Sequence, residues 1–378
     1  MRIGAVICEC NPFHAGHRAL MEAARRECDL LIAVMSGDFC QRGIPAVFSK
    51  EDRTRDVLSC ADAVIELPVF AATASSDRFA RGAVRLVDAL GCVTDLYFGS
   101  ESGDLAALQK EAEASRQADP RMQQVLRQKV AEGLSYPAAQ AAAMEEILGI
   151  ATCRNAPNDL LAVSYLCALS DIHSRVTPHA IPRISTDSAS SLREKLQQDP
   201  AANQSHPQRV PVFLDDFSQV LLGALLANRD YTDFSDVTPD LSDRFCNNLG
   251  YYRTITGFLA RCKTKEVTWT RLSRCLLHIL LGIRKDAVTA YFTAGPQYAR
   301  VLGYRKESAR LISLLADSAR IPVVLRVADG ERALPEEALC SYHLDLSASL
   351  LYDHIEAAKR KDTDTEINAY KKKVLVLP

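Results

Sequence analysis

Apolar positions in the first half of the chain fall in short, nearly unbroken runs, separated by longer stretches with helical spacing. The runs Arg2–Glu9, Leu30–Met35, Ala63–Leu67, Thr94–Phe98 and Val176–Ile181 are apolar at consecutive positions, which suits parallel strands covered on both faces. Between them His17–Cys28, Lys50–Cys60 and Arg78–Leu90 place apolar residues on one helical stripe. This alternation predicts βαβ units, hence an α/β, Rossmann-like domain with a parallel sheet. Residues 102–171 read as an insertion of four helices, Leu105–Gln117, Arg121–Glu132, Pro137–Leu148 and Asn158–Ser170, before the last strand. A polar stretch from Gln197 to Gln208, holding Pro200 and Pro207, predicts a linker. It divides the chain into 1–197 and a mostly helical 209–378. The second part should contain one short strand, Pro322–Val327, a turn at Gly330, and a charged tail, Lys359–Lys373, that frays.

Composition changes this picture little. At 378 residues the chain exceeds what one core usually supports. Its 48% hydrophobic and 24% charged residues are ordinary for a globular protein. A net charge of −2 argues against indiscriminate polyanion binding but leaves room for a local basic face. The twelve cysteines include no CxxC pair and no zinc-spaced histidines, so free thiols in a reducing compartment are expected, and no metal site. The first apolar run is too short for a signal peptide or a membrane span. A cytoplasmic location, with neither membrane nor DNA as partner, is the resulting expectation.

The candidate chemistry lies at strand ends. After the first strand comes His14-Ala15-Gly16-His17, two histidines at a strand-to-helix turn broken by Pro12. A helix starting there offers free N–H groups and a positive dipole end to a phosphate chain. The imidazoles could donate to charge that grows as pyrophosphate leaves; the plainer alternative is two histidines capping a helix. Gly37, Pro68 and Gly99 also follow strand ends, where ligands of open α/β sheets bind. Ser190-Ser191-Leu192-Arg193 opens a later helix and reads as a second anion cradle, or as an ordinary serine cap followed by a surface arginine. Gly99, beyond a strand end, permits close backbone approach to a ligand. Asn158 could present its amide to a ligand or cap its helix, and Arg183 could bind phosphate or pair with Asp187. Ser36, Gly37 and Gln41 lie in a polar loop fit to hold a second substrate. Lys50 and Arg53 sit on a first helical turn, where cations are unwelcome unless they face an anion. Farther on, Lys263, Lys265, Arg271, Arg274, Arg284 and Lys285 are interleaved with Tyr251, Tyr252 and Trp269, with Arg300, Arg305, Tyr298 and Tyr304 beyond; basic residues among aromatics suit RNA.

Longer strings sharpen the reading. Asn11-Pro12-Phe13-His14-x-Gly16-His17, then Met35-Ser36-Gly37-Asp38-Phe39-x-Gln41-Arg42-Gly43, Ile65-Glu66-Leu67-Pro68, Phe98-Gly99-Ser100-Glu101, Pro157-Asn158-Asp159 and Thr268-Trp269-Thr270-Arg271 follow in order along the chain. The set resembles the bacterial tRNA(Met) cytidine acetate ligase family of HIGH-motif nucleotidyltransferases. The chain departs from that pattern in a shorter segment between Arg183-Ile184 and Ser188, in Cys10 where tyrosine is usual, and in Ala15 where asparagine is usual. The resemblance implies ATP, with Mg²⁺, as cofactor. ATP contacts would come from Ile7, Cys8, Glu9, Cys10, Asn11, Pro12, Phe13, His14, Ala15, Gly16, His17, Arg18, Ala19 and Leu20, together with Gly99, Asn158, Arg183, Ile184, Ser190 and Ser191. His14, His17 and Arg193 would be catalytic. It also implies activation of acetate as acetyl-adenylate and transfer to N4 of the wobble cytidine of elongator tRNA(Met). A small-molecule adenylyltransferase and a non-catalytic RNA-binding protein are the alternatives.

Overall fold

The computed structural model describes residues 1–116, 120–134, 136–149, 156–183, 189–199 and 208–378. Its centre is a sheet built from β1 (Ile3–Cys8), β2 (Leu30–Ser36), β5 (Ala63–Leu67), β6 (Asp95–Ser100), β7 (Thr177–Pro182), β8 (Ala299–Arg305), β9 (Val323–Val324) and β10 (Leu375–Leu377); β3 (Phe39–Cys40) and β4 (Ile44–Pro45) form a separate hairpin. The order is β10-β8-β5-β2-β1-β6-β7, with β9 also on β8. Strands β7, β6, β1, β2 and β5 are mutually parallel, and β8 adds antiparallel to β5.

The pleat sorts the apolar runs onto two faces, because successive strand residues point to opposite sides. Ile3, Ala5, Ile7, Ile32, Val34 and Ile65 pack with the helix Ser76–Ala89 and the later helices. Val6, Cys8, Leu31, Ala33, Met35 and Val64 pack with Met21 and Ala24 of the helix Ala15–Arg25 and with Val57 of the helix Lys50–Val57. All five strands expected from the sequence are present, within about two residues at each end, and so are the four helices of the insertion.

The second half differs more. Helices dominate it, yet β8, β9 and β10 join the first half's sheet, so the chain beyond 208 shares one core with the part before it. Only Val323–Val324 of the expected strand is extended, and Val327 begins a helix, Val327–Ala333. Gly330 therefore lies within a helix rather than at a turn; a Cβ there would stand 2.3 Å from the Tyr342 hydroxyl. The charged tail does not fray: Lys359 reaches Asp216, Lys372 bridges Asp353 and Glu51, and β10 follows. Most of the expected linker lies outside the described residues.

Lys50 and Arg53 are fully buried, which removes them from any substrate surface. The Lys50 ammonium lies 2.6 Å from Glu66 and 3.5 Å from Asp38, and also donates to Ser349 of the helix Glu336–Arg360. Glu66 is flanked on its other oxygen by Arg300 at 3.0 Å. The Arg53 guanidinium donates to the carbonyls of Phe48, Glu9, Ser36 and Gly37, tying together the carboxyl ends of β1 and β2. The anions that Lys50 faces are thus internal, and Arg53 meets backbone carbonyls instead of a carboxylate. Ser36 and Gly37 are enclosed with them; a Cβ on Gly37 would meet Glu66 at 2.6 Å.

Candidate active site

Beyond the carboxyl ends of β1, β6 and β7 opens a cavity of about 480 Å³. Its floor is the turn after β1. Cys10 takes a left-handed conformation (φ 49°) and turns its side chain into the core, while Cys8 lines the cavity. Asn11 is equally buried: its carboxamide donates to Cys40 Sγ and the Pro45 carbonyl and accepts from Val47 N–H at 2.8 Å. That side chain braces the turn against the β3–β4 hairpin. Of the segment from Ile7 to Leu20, Ile7, Cys8, Glu9, His14, Gly16, His17, Ala19 and Leu20 line the cavity. Pro12, Phe13, Ala15 and Arg18 do not; Arg18 stacks on Phe13 outside it.

The histidines cap the helix and face the cavity at once. His14 is the N-cap of Ala15–Arg25, its Nδ1 accepting from Gly16 N–H at 3.0 Å, and His17 Nδ1 accepts from His14 N–H at 3.3 Å. This is the reciprocal capping arrangement with imidazoles in place of a hydroxyl and a carboxylate. Since both Nδ1 atoms accept, the proton of each neutral ring is assigned to Nε2. The rings lie 3.9 Å apart. Burial, with His14 and Arg183 nearby, pushes His17 down to about 3, so it works as a neutral donor.

One end of the cavity is organised by Asp159 and Glu101. Asp159, buried at the start of the helix Pro157–Asp171, accepts from Ser100 Oγ and from the N–H groups of Glu101 and Ser102 at 2.9 and 3.0 Å. Glu101 in turn accepts from the Asn158 side chain at 2.6 Å and from Asp159 N–H at 2.9 Å, and lies 3.7 Å from Arg183. Asn158 and Arg183 are thereby fixed at the rim; Asp187 lies outside the described residues, as does Ile184. A Cβ on Gly99 would meet no protein atom within 4 Å, so the space over that backbone is cavity, room for a flat ring. Asp159→Ala should leave buried N–H groups unpaired and cost about 1–3 kcal/mol. It should also raise the KM for ATP; chemical denaturation and steady-state kinetics check both.

At the opposite end Arg193 donates to the Asn11 carbonyl at 2.6 Å and to Ser190 Oγ at 2.9 Å. Ser190 lines the cavity beside Arg193, Gln41 and Arg42, and Ser191 lies on the same first turn without lining it. Sequence reasoning missed Arg42, whose neighbour Gln41 it had marked, and the apolar wall of Phe79, Phe98, Leu161 and Tyr165.

Among the described residues no group of three or more His, Cys, Asp or Glu could hold a metal ion. The described residues thus include no protein cage of that kind for Mg²⁺. The basic residues of the second half divide. Lys263, Lys265, Arg284 and Lys285 are exposed and Arg271 half-exposed. Arg261 stacks 3.6 Å over exposed Tyr251. Arg274 is buried against Asp236 at 2.9 Å, which removes it from an RNA surface; Arg300, Tyr252 and Tyr298 are likewise buried. No helix among the described residues is long and apolar enough to cross a membrane.

Comparison with known proteins agrees with this geometry. The family model described as HIGH Nucleotidyl Transferase matches residues 1–366. A tRNA(Met) cytidine acetate ligase of Fervidobacterium nodosum is 32% identical, over 86% of this chain and 84% of that protein. One from Acetivibrio thermocellus is 31% identical, over 93% and 94%. The crystal structure of Thermotoga maritima TmcAL bound with alpha-thio ATP matches at a TM-score of 0.89 and 29% identity, across 100% of both chains. By motif order, site geometry and relatives together, the chain belongs to the HIGH nucleotidyltransferase family, alongside its tRNA(Met) cytidine acetate ligases.

Proposed function

We propose that the protein is an ATP-dependent ligase that activates acetate as acetyl-adenylate and acetylates N4 of the wobble cytidine of elongator tRNA(Met). The observation that carries the nucleotide half is the pair of neutral imidazoles capping a helix inside the cavity. Acetate attacks the α-phosphorus, the bond to the bridging oxygen breaks, and pyrophosphate departs with its electron pair. His14 and His17, through Nε2–H, and the N–H groups of the helix Ala15–Arg25 stabilise the charge that collects there. The cytidine amine then attacks the acetyl carbonyl and AMP leaves. Free acetate is a poor acceptor for an aryl amine, so the adenylate is what makes the transfer feasible.

The names of the relatives support acetate and tRNA(Met) as substrates, and a tRNA substrate favours a cytoplasmic location. Lys263, Lys265, Arg271, Arg284 and Lys285, with Tyr251 and Trp269, supply the exposed cations and rings that RNA binding uses. Those relatives match over nearly their whole length, which favours the ligase over a small-molecule adenylyltransferase. The ordered histidine and arginine contacts count against a decayed site. Incubation with ATP, Mg²⁺, labelled acetate and total bacterial tRNA should place label in N4-acetylcytidine after nuclease digestion. Pyrophosphate release without labelled nucleoside would overturn the RNA half, and no pyrophosphate release would overturn both.

A further inference from the structure

Charge in the cavity is distributed unevenly. At the Gly99 end the cation is already paired, Arg183 with Glu101 at 3.7 Å. At the Ser190 end two guanidiniums converge on one hydroxyl: Arg193 Nη2 lies 2.9 Å from Ser190 Oγ, and Arg42 Nη1 lies 3.4 Å from the same atom. Among the described residues neither arginine has a carboxylate within ion-pair distance. Two like charges sharing one neutral acceptor repel each other, and a bound anion converts that repulsion into a clamp.

Arg42 is exposed but not loosely presented. It stands at the tip of the β3–β4 hairpin, between Gln41 and Gly43, and both neighbours are anchored. Gln41 N–H donates to the Glu9 carboxylate at 2.6 Å, and the Gln41 side chain reaches Ser76 at 3.2 Å. The Gly43 carbonyl accepts from Ser273 Oγ at 2.7 Å. Gly43 holds φ 73° with its α-carbon pressed against the helix Trp269–Leu281, where a Cβ would stand 2.4 Å from Arg274 N. Only glycine combines that left-handed conformation with that approach. The turn is thus fastened on both sides, with Arg42 directed back at the Ser190 cradle.

We propose that Arg42 binds the β- and γ-phosphates of ATP jointly with Arg193, the two guanidiniums closing on the phosphates from opposite sides of Ser190. The assignment rests on the nucleotide reading above. Its chemistry fits the rest of the site, because the histidines contribute neutral donors and the phosphate tail requires formal positive charge. Glu9, by holding the turn, acts as the positioning residue for Arg42.

The test is calorimetric titration of full-length wild type and Arg42→Gln with ATP and, separately, with AMP, which lacks the two outer phosphates. ATP should bind the variant about 10- to 100-fold more weakly, as loss of a charge-assisted phosphate contact predicts. AMP affinity should stay within about twofold. Equal weakening of both nucleotides, or no weakening of either, overturns the role of Arg42 while leaving the nucleotide site standing. Failure of wild type to bind either nucleotide overturns both readings. Arg42→Lys, which keeps the charge but loses the fork, should fall between wild type and Arg42→Gln for ATP alone.

Discussion

His17→Asn is expected to slow acetyl-adenylate formation by roughly 10²–10³-fold in a protein that still folds. Asparagine places its side-chain oxygen close to where His17 Nδ1 stands, so it can go on accepting the His14 N–H that completes the cap. What it lacks is the Nε2–H that reaches the cavity. Loss of one preorganised donor to departing charge lowers turnover roughly 10²–10³-fold. ATP–pyrophosphate exchange should therefore drop by that factor, with thermal stability near wild type. His17→Gln, which carries an N–H near the Nε2 position but no acceptor at Nδ1, should retain more exchange at lower stability. An asparagine variant with wild-type exchange would show that the imidazole serves only as a cap. With His17 held down near 3, the ring is neutral across the working pH range, so no acid limb of wild-type exchange should trace to it.

The largest effect on folding should come from Lys50→Met. Glu66 and Asp38 are buried with this ammonium between them, and methionine would leave both carboxylates without it. Removing one partner of a buried ion pair typically costs about 3–5 kcal/mol, because the uncompensated charge remains in a medium that solvates it poorly. Urea denaturation should register that loss. Combining Lys50→Met with Glu66→Gln should recover part of it, the signature of direct coupling. A single-variant loss under about 1 kcal/mol would mean that water reaches the network.

The parallel core was legible because β1, β2 and β5 are buried on both faces and their sequences are correspondingly unbroken. Strand β8 was not, because Ala299–Arg305 interleaves Arg300, Tyr304 and Arg305 with apolar residues and reads as a basic, aromatic surface. The burial of Arg300 depends on a carboxylate, Glu66, contributed from far earlier in the chain, and pairing at that separation leaves no local trace. The same holds at the site. His14, Gly16, His17 and Arg193 announced themselves through spacing, whereas Lys50 and Arg53 were noticed for a real electrostatic reason whose partner lay inside the protein. Arg42 shows the converse: nothing in its neighbourhood of sequence says that it shares a hydroxyl with Arg193.

The order of the sheet also bears on how the molecule is made. Strand β5 emerges from the ribosome early, but its outer neighbour β8 is synthesised late, and the far edge of β8 is covered in part by β9 and then by β10. Until then the nascent chain carries an open strand edge, and its Lys50–Glu66 pair lacks Arg300 and Ser349. Such edges recruit other chains. Synthesis of the later strands, rather than emergence of the half that lines the cavity, is therefore what allows this sheet to close.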